Sequence, residues 1–241
     1  MTLNASGPIS IAGTTAGQSI EIELGGSGTT QISLNCTTVR TLAGVPSGAI
    51  IMPTNFYGKS NAVVQGTFYG GCAAGCSNLV TRINACGALV GSETNVGTAR
   101  PYLAGAKVGA NGLFYGGYYR YNLVTRINAC GALVGSETNV GTARFYLAGA
   151  KVGANGLFYG GDTTGVSNLV TRINACGALV GSETNVGTAR YALAGATVGA
   201  NGLFYGGGSS NLLTRINACG ALVGSETNVG TARCALAGAG S

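Results

Sequence analysis

The side chains best equipped for chemistry recur at fixed intervals. Glu93, Glu137, Glu183 and Glu226 each follow one arginine by eleven residues (Arg82, Arg126, Arg172, Arg215) and precede another by seven (Arg100, Arg144, Arg190, Arg233). A carboxylate among guanidinium groups suits ion pairing within a fold or contact with a charged ligand. Acid–base catalysis needs two groups whose surroundings set their pKa values apart, and copied positions share one environment. These twelve residues are therefore expected to form structural ion pairs. Asp162 with one repeat glutamate has the makings of a glycosidase carboxylate pair, but the same symmetry argues against it. The chain has no histidine, which excludes Ser-His-Asp and Cys-His catalysis and removes the commonest metal ligand. No catalytic, cofactor-binding or metal-binding residue is expected, and no cofactor.

Cys72 and Cys76 break the repeat symmetry. A metal site would need two more ligands, and none lies nearby in sequence. A disulfide is disfavoured by synthesis in a cytoplasm, so free thiols are expected. Cys86, Cys130, Cys176 and Cys219 hold one repeat position and read as small buried residues copied with the unit. Recognition is expected where otherwise identical units differ, in loops 72–77, 118–121, 162–167 and 208–210. Tyr118, Tyr119 and Tyr121 beside Arg120 have the chemistry to stack on sugar rings or fill a partner's pocket.

The elements that position these groups are repeats. Residues 78–100 read NLVTRINACGALVGSETNVGTAR, return at 122–144 and 168–190, and return at 211–233 with one Val-to-Leu change. The copies begin 44, 46 and 43 residues apart. A second shared phrase, LAGAKVGANGLFYGG at 103–117, runs between them. Residues 56–71 align with 102–117 without a gap and form a diverged first copy. A period of this size belongs to repeat architectures whose units bury their apolar faces against each other.

Composition agrees with a β architecture. Charged residues make up 8% of the 241 and hydrophobic residues 46%, with 44 glycines; Thr, Val, Tyr and Gly abound, as in short strands joined by glycine turns. The net charge of +6 is spread by the repeats, unlike the clustered basic face of a nucleic-acid binder. No stretch approaches the roughly 18 apolar residues of a membrane helix, and the first residues lack the basic start and apolar run of a signal peptide. A chain made in a cytoplasm is expected, with no membrane insertion and no nucleic acid.

In each unit a small-residue strand, as at 146–152, is expected to turn at Ala154-Asn155-Gly156 into an aromatic strand at 157–159. Strands at 168–175 and 178–184 follow. Four strands in roughly 44 residues make one propeller blade. Before the repeats, 19–24 (SIEIEL) and 30–34 (TQISL) alternate apolar and polar residues around a glycine-rich turn, predicting a hairpin. Residues 39–51 read mostly as loop, with a short strand available at 49–52.

Two resemblances add to this reading. The phrases SGPISIAGTTAGQSIEIELG, ISLN…VRTLAGVPSGAI and MPTNFYGKS, across about residues 7–60, resemble an N-terminal module of virion proteins of tailed bacteriophages, notably those of cyanobacteria and marine bacteria. This resemblance implies a structural protein of the particle, made in the host cytoplasm and placed at tail fibre, neck or baseplate. It further implies docking on other virion proteins through residues 1–55, a homo-oligomeric state, and a role in binding a host-surface glycan or receptor. A polysaccharide-degrading tail enzyme and a purely architectural coat protein are the alternatives.

Residues 56–240 resemble kelch repeats: an opening Arg, a small-residue strand, an aromatic strand closed by a double glycine, a strand with internal polar residues and an E-T-N turn. The usual Trp is missing, with Val96, Val140, Val186 and Val229 near its place. In a kelch-like blade the repeat arginines and glutamates would tie the outer turn to the adjacent blade. The expected fold is all-β: an N-terminal β module (1–55) and a kelch-like β-propeller (56–241) of about four to five four-stranded blades. Its units are 56–100, 101–144, 145–190 and 191–233, with a partial one at 234–241. The fragment at 235–239 would close the ring with the N-terminal strands, pair with a neighbouring chain, or displace part of the first blade.

Overall fold

A computed structural model describes residues 66–238 apart from 73–74 and 84–88. Of the preceding part it describes residues 3, 5–11, 14–15, 18–24, 34, 37–45, 48–52 and 54–56. The chain divides into two compact units, Met1–Val64 and Gln65–Ser241.

The first unit departs from the expected hairpin. Residues 20–23 form a short helix, α1 (Ile20–Glu23), and a second helix, α2 (Thr37–Ala43), occupies part of the expected loop. Ser19 explains α1: its backbone is extended and its Oγ accepts from Ile22 N, as an N-cap does. Ile20 and Leu24, four apart, share one helical face and pack with Leu3, Val39, Leu42 and Phe56. The alternation of 19–24 is too short to distinguish that face from a strand's. Residues 49–52 form no strand. Of the strand expected at 30–34, all but Leu34, which lies in a turn, falls outside the described residues. Phe56, aligned by sequence with the repeats, is fully buried in this unit's core.

The second unit is built from antiparallel sheets whose strands follow chain order. The first sheet has β1 (Gly66–Tyr69), β2 (Leu79–Ile83) and β3 (Thr94–Asn95). The second has β4 (Ala104–Val108), β5 (Asn111–Tyr115), β6 (Leu123–Ile127) and β7 (Thr138–Asn139). The third has β8 (Ala148–Val152), β9 (Asn155–Tyr159), β10 (Leu169–Ile173) and β11 (Thr184–Asn185). The fourth has β12 (Ala194–Val198), β13 (Asn201–Tyr205), β14 (Leu212–Ile216) and β15 (Thr227–Asn228). The described chain is thus nearly all-β, with its helices confined to the first unit.

Two local details differ from expectation. Val152 pairs with Asn155, so the tight turn is Gly153-Ala154 and the Asn-Gly pair lies inside β9. Gly153 has φ +59°, the left-handed conformation that a glycine adopts without steric cost at the head of a hairpin turn. The last strand of each sheet is only two residues long, preceded by a single bridge such as Ile173 with Leu179. Between them Asn174 Oδ1 accepts from Cys176 N and Ala178 N, at 2.9 and 3.0 Å. That side-chain turn lifts the cysteine to its tip. Cys130, Cys176 and Cys219 are accordingly exposed rather than buried, and Cys86 lies outside the described residues.

Alternation along the aromatic strand assembles the core. In β9, Phe158 and Tyr159 point to opposite faces of the sheet. Phe158 packs backward with Val108, Leu113, Tyr115 and Val124 of the second sheet. Tyr159 packs forward with Phe204 and Ile216 of the fourth. The same tyrosine-to-phenylalanine contact joins the first and second sheets, and all three pairs have ring centroids 5.2 Å apart. A core therefore lies between successive sheets, and no sheet has one of its own.

Glycines let the first strands approach. A Cβ on Gly149 would lie 2.5 Å from the carbonyl oxygen of Gly105, and Gly195 meets Gly149 and Gly238 meets Gly195 in the same way. Gly149→Val is expected to destabilise the protein by about 2–3 kcal/mol, because backbone leaves the side chain no room. Gly165→Val, at a loop glycine with open space around it, is expected to change stability by under about 0.5 kcal/mol. Urea unfolding of the two variants checks the contrast.

Candidate functional site

The repeat charges meet at the sheet junctions. Arg100, in the link between the first and second sheets, is fully buried. Its Nη1 donates to the carbonyls of Gly116 and Leu123, each at 2.7 Å, and its Nη2 to Thr125 Oγ1. Thr125 in turn donates to Glu137 Oε1, which lies 3.7 Å from Arg100 Nη2. The other glutamate oxygen reaches back across the junction, accepting from Thr98 N at 3.0 Å and Thr98 Oγ1 at 2.7 Å. Arg144 with Glu183 and Arg190 with Glu226 repeat the arrangement, at 3.8 and 3.5 Å.

Beneath each guanidinium lies a tyrosine ring of the preceding sheet, 5.9 Å from Arg Cζ to centroid. The buried Nε of Arg100, Arg144 and Arg190 has no hydrogen-bond acceptor, and cation–π attraction offsets part of that cost. Tyr115 Oη closes the sandwich by donating to the carbonyls of Val140 and Thr142, at 3.0 and 2.7 Å.

The other arginines behave differently. Arg82, Arg126, Arg172 and Arg215 form no ion pair among the described residues. Arg82 Nη1 donates to the Ala129 carbonyl at 3.3 Å, and its side chain passes over Gly131 of the next unit. Arg126 and Arg172 pass over Gly177 and Gly220 likewise. Glu93 accepts from Thr81 Oγ1, and Arg233 lies 5.8 Å from the Tyr205 ring centroid; neither is in an ion pair among the described residues.

Burial lowers the pKa of Arg100 and Arg144. For Glu137 and Glu226 burial works to raise the pKa, but hydrogen bonds from Thr125 and Thr98, and from Thr188 and Thr214, outweigh it. With Arg100 and Arg190 adding attraction, both acids are held below the ordinary carboxylate range.

Two of the three tyrosines named from sequence, Tyr118 and Tyr119, lie in a larger aromatic row. Tyr119, 71% exposed, stacks on Tyr118 at 4.8 Å between ring centroids. Tyr118 meets Tyr102 at 5.8 Å and Phe145 at 5.5 Å. Tyr146 follows, 4.4 Å from Tyr102, and then Tyr191 at 6.3 Å. Tyr102, Tyr118, Tyr119 and Tyr191 are exposed. Tyr121 stays out of the row, with its backbone tied to Gly117 and Arg144, and Arg120 is exposed beside it.

Backbone pairing sets the row. Tyr146 N donates to the Tyr102 carbonyl at 3.0 Å and Ala192 N to the Tyr146 carbonyl at 2.9 Å, so equivalent residues of successive units stack. Tyr102, Tyr119 and Tyr146 have φ of +59°, +66° and +56°, costly for a bulky residue and sustained only where surroundings enforce it. Tyr102, Phe145, Tyr146 and Tyr191 escaped sequence reasoning. The available signal was that the dipeptides PY, FY and YA vary where their surroundings are copied.

Other candidates gather no constellation. Asp162 exchanges backbone hydrogen bonds with Phe145. Cys72 and Cys76 are free, exposed and bridged through their backbones. Among the described residues no three of Cys, Asp or Glu converge as a metal would require, and no helix is long and apolar enough to cross a membrane. No protein-family model and no curated protein matches the chain.

Arg144→Met is expected to cost about 3–5 kcal/mol, because it leaves Glu183 without its buried counter-charge and the carbonyls of Gly160 and Leu169 without their donor. Denaturant unfolding measures this. The lowered pKa values of Glu137 and Glu226 mean that the unfolded chain binds more protons in acid. Stability is then complete above the ordinary carboxylate range and is lost as pH falls through the lowered values. Acid titration followed by circular dichroism is expected to show a weaker pH dependence in Glu137→Gln than in the parent.

Proposed function

We propose that this chain is a non-enzymatic structural protein of a tailed-phage virion, with a kelch-like propeller that binds a host-surface glycan. The virion part rests on the phrases of residues 7–60 that resemble phage tail-associated modules. The propeller part is supported by four-stranded meander sheets, strand order following the chain, joined in succession. Their first strands β4, β8 and β12 border one open cleft of about 740 Å³, as inner strands border a propeller's centre.

The observation that carries the binding role is the aromatic row. Exposed tyrosines, packed against one another tilted or edge to face, offer apolar ring faces with polar edges, and sugar rings present apolar C–H faces rimmed by hydroxyls. A row spanning successive units presents several such faces at once, suiting an oligosaccharide more than a single sugar. Attachment through residues 1–55 to other virion proteins would leave the repeats to meet the host.

The Tyr118→Ala/Tyr119→Ala variant is expected to lose about tenfold or more in affinity for host envelope glycans on an array, while its circular dichroism stays unchanged. Equal binding by the variant and the parent would remove the row from the proposal. Release of new reducing ends from the same glycans would turn the reading toward an enzyme.

A further inference from the structure

Each internal junction joins two different faces. The forward faces of the second and third sheets contribute a valine from the first strand, a leucine and a tyrosine from the second, and the arginine after the fourth; the three-stranded first sheet contributes the tyrosine (Tyr69) and the arginine (Arg100), with Thr67 at the leucine position. The backward face of the next contributes a phenylalanine, an isoleucine, a threonine and a glutamate. The first and fourth sheets each keep one such face unfilled.

On the first sheet Phe68 is 57% exposed, whereas its equivalents Phe114, Phe158 and Phe204 are buried. Thr81 and Ile83 are half-buried where Thr125, Ile127, Thr171 and Ile173 are buried. Glu93 is in no ion pair among the described residues. On the fourth sheet Val198 and Val229 are 48% and 46% exposed, against 1% and 8% for Val152 and Val186. Arg233 is exposed, yet it keeps the pose of its buried counterparts over Tyr205, whose Oη donates to the carbonyls of Val229 and Thr231. The clamp is assembled, and among the described residues it holds no acid.

We propose that the forward face of the fourth sheet binds the backward face of the first sheet of a second copy of this chain, head to tail. The occupant follows from continuity: the same ring contact and the same ion pair already join successive sheets three times within the chain. Arg233 and Glu93 supply the opposite charges, and Phe68 is the ring that Tyr205 lacks. The two faces of one chain leave each other exposed, so they do not fill one another. Such an interface is heterologous, and it generates rings or filaments according to whether the rotation closes. It stands apart from the virion and glycan readings, since only the chemistry of the two faces carries it.

Sedimentation velocity of the full chain tests this across concentrations up to about 100 μM, a range that detects even weak association. The parent is expected to form concentration-dependent higher species. Arg233→Glu blocks one face and Phe68→Asp the other, and each alone is expected to be monomeric. An equimolar mixture of the two should give a dimer that grows no further, because each partner keeps one working face. The Glu93→Arg/Arg233→Glu double variant is expected to recover at least about tenfold of the affinity lost in Arg233→Glu, since charge complementarity is restored. A parent that stays monomeric throughout, including one whose ends close on each other, overturns the proposal. So does a mixture of folded single variants that forms no dimer, or an Arg233→Glu chain that assembles as the parent does.

Discussion

The buried arginine between sheets is the constraint from which the rest follows. A guanidinium with no access to water must have its protons accepted, its charge balanced and its plane covered. Arg144 meets all of these demands but one, with two carbonyls and a threonine of the following sheet, a glutamate held by that threonine, and a tyrosine ring of the preceding sheet; its Nε proton alone finds no acceptor. Each demand fixes a neighbour. The double glycine after the aromatic strand supplies a carbonyl, the polar residue inside the third strand supplies the hydroxyl, and the E-T-N turn supplies the acid. A unit that carries these motifs is specified for contact with another like it, and the apolar cores lie between units for the same reason.

Sequence revealed the repeat and its β character, and placed a tight turn within each unit, though at the Asn-Gly pair rather than at Gly153-Ala154. These are encoded locally, in period, composition and copied positions. Which arginine would meet which glutamate was not legible. Two arginines flank every acid at fixed spacing, and the choice is made by the register of neighbouring sheets. The cysteines were misread because burial was inferred from residue type, whereas Asn174 and its equivalents raise the loop into solvent. In the first unit a six-residue alternation looked like a strand, and one N-cap serine with two well-placed apolar residues made it a helix. The aromatic row was the least legible feature, since its members lie in three units and are joined only by backbone pairing and ring contacts between units.

The two candidate features divide the unit by how strictly it is copied. Residues that build the junction are identical in each full copy, and the aromatic positions are among the few that change. The dipeptide before each first strand is free to vary, because its recurring contact with the neighbouring unit is a backbone hydrogen bond. Tyr146 and Ala192 make the same bond with very different side chains, and Ala235 repeats it. Surface chemistry can therefore diverge while the architecture stays constant.

Identity between the junctions has a further consequence for how the chain reaches its native order. The backward face of the third sheet and that of the fourth are chemically the same, so the second sheet cannot distinguish them by contact. A chain collapsing at random could join the second sheet to the fourth and leave the third looped out, with a junction as well satisfied as the native one. Only connectivity opposes this: a neighbour tethered by a short link is at higher effective concentration than one further along the chain. Sequential emergence during synthesis works in the same direction. Order along this protein is kept by the length of its links and the timing of its units, while the side chains decide only that units join.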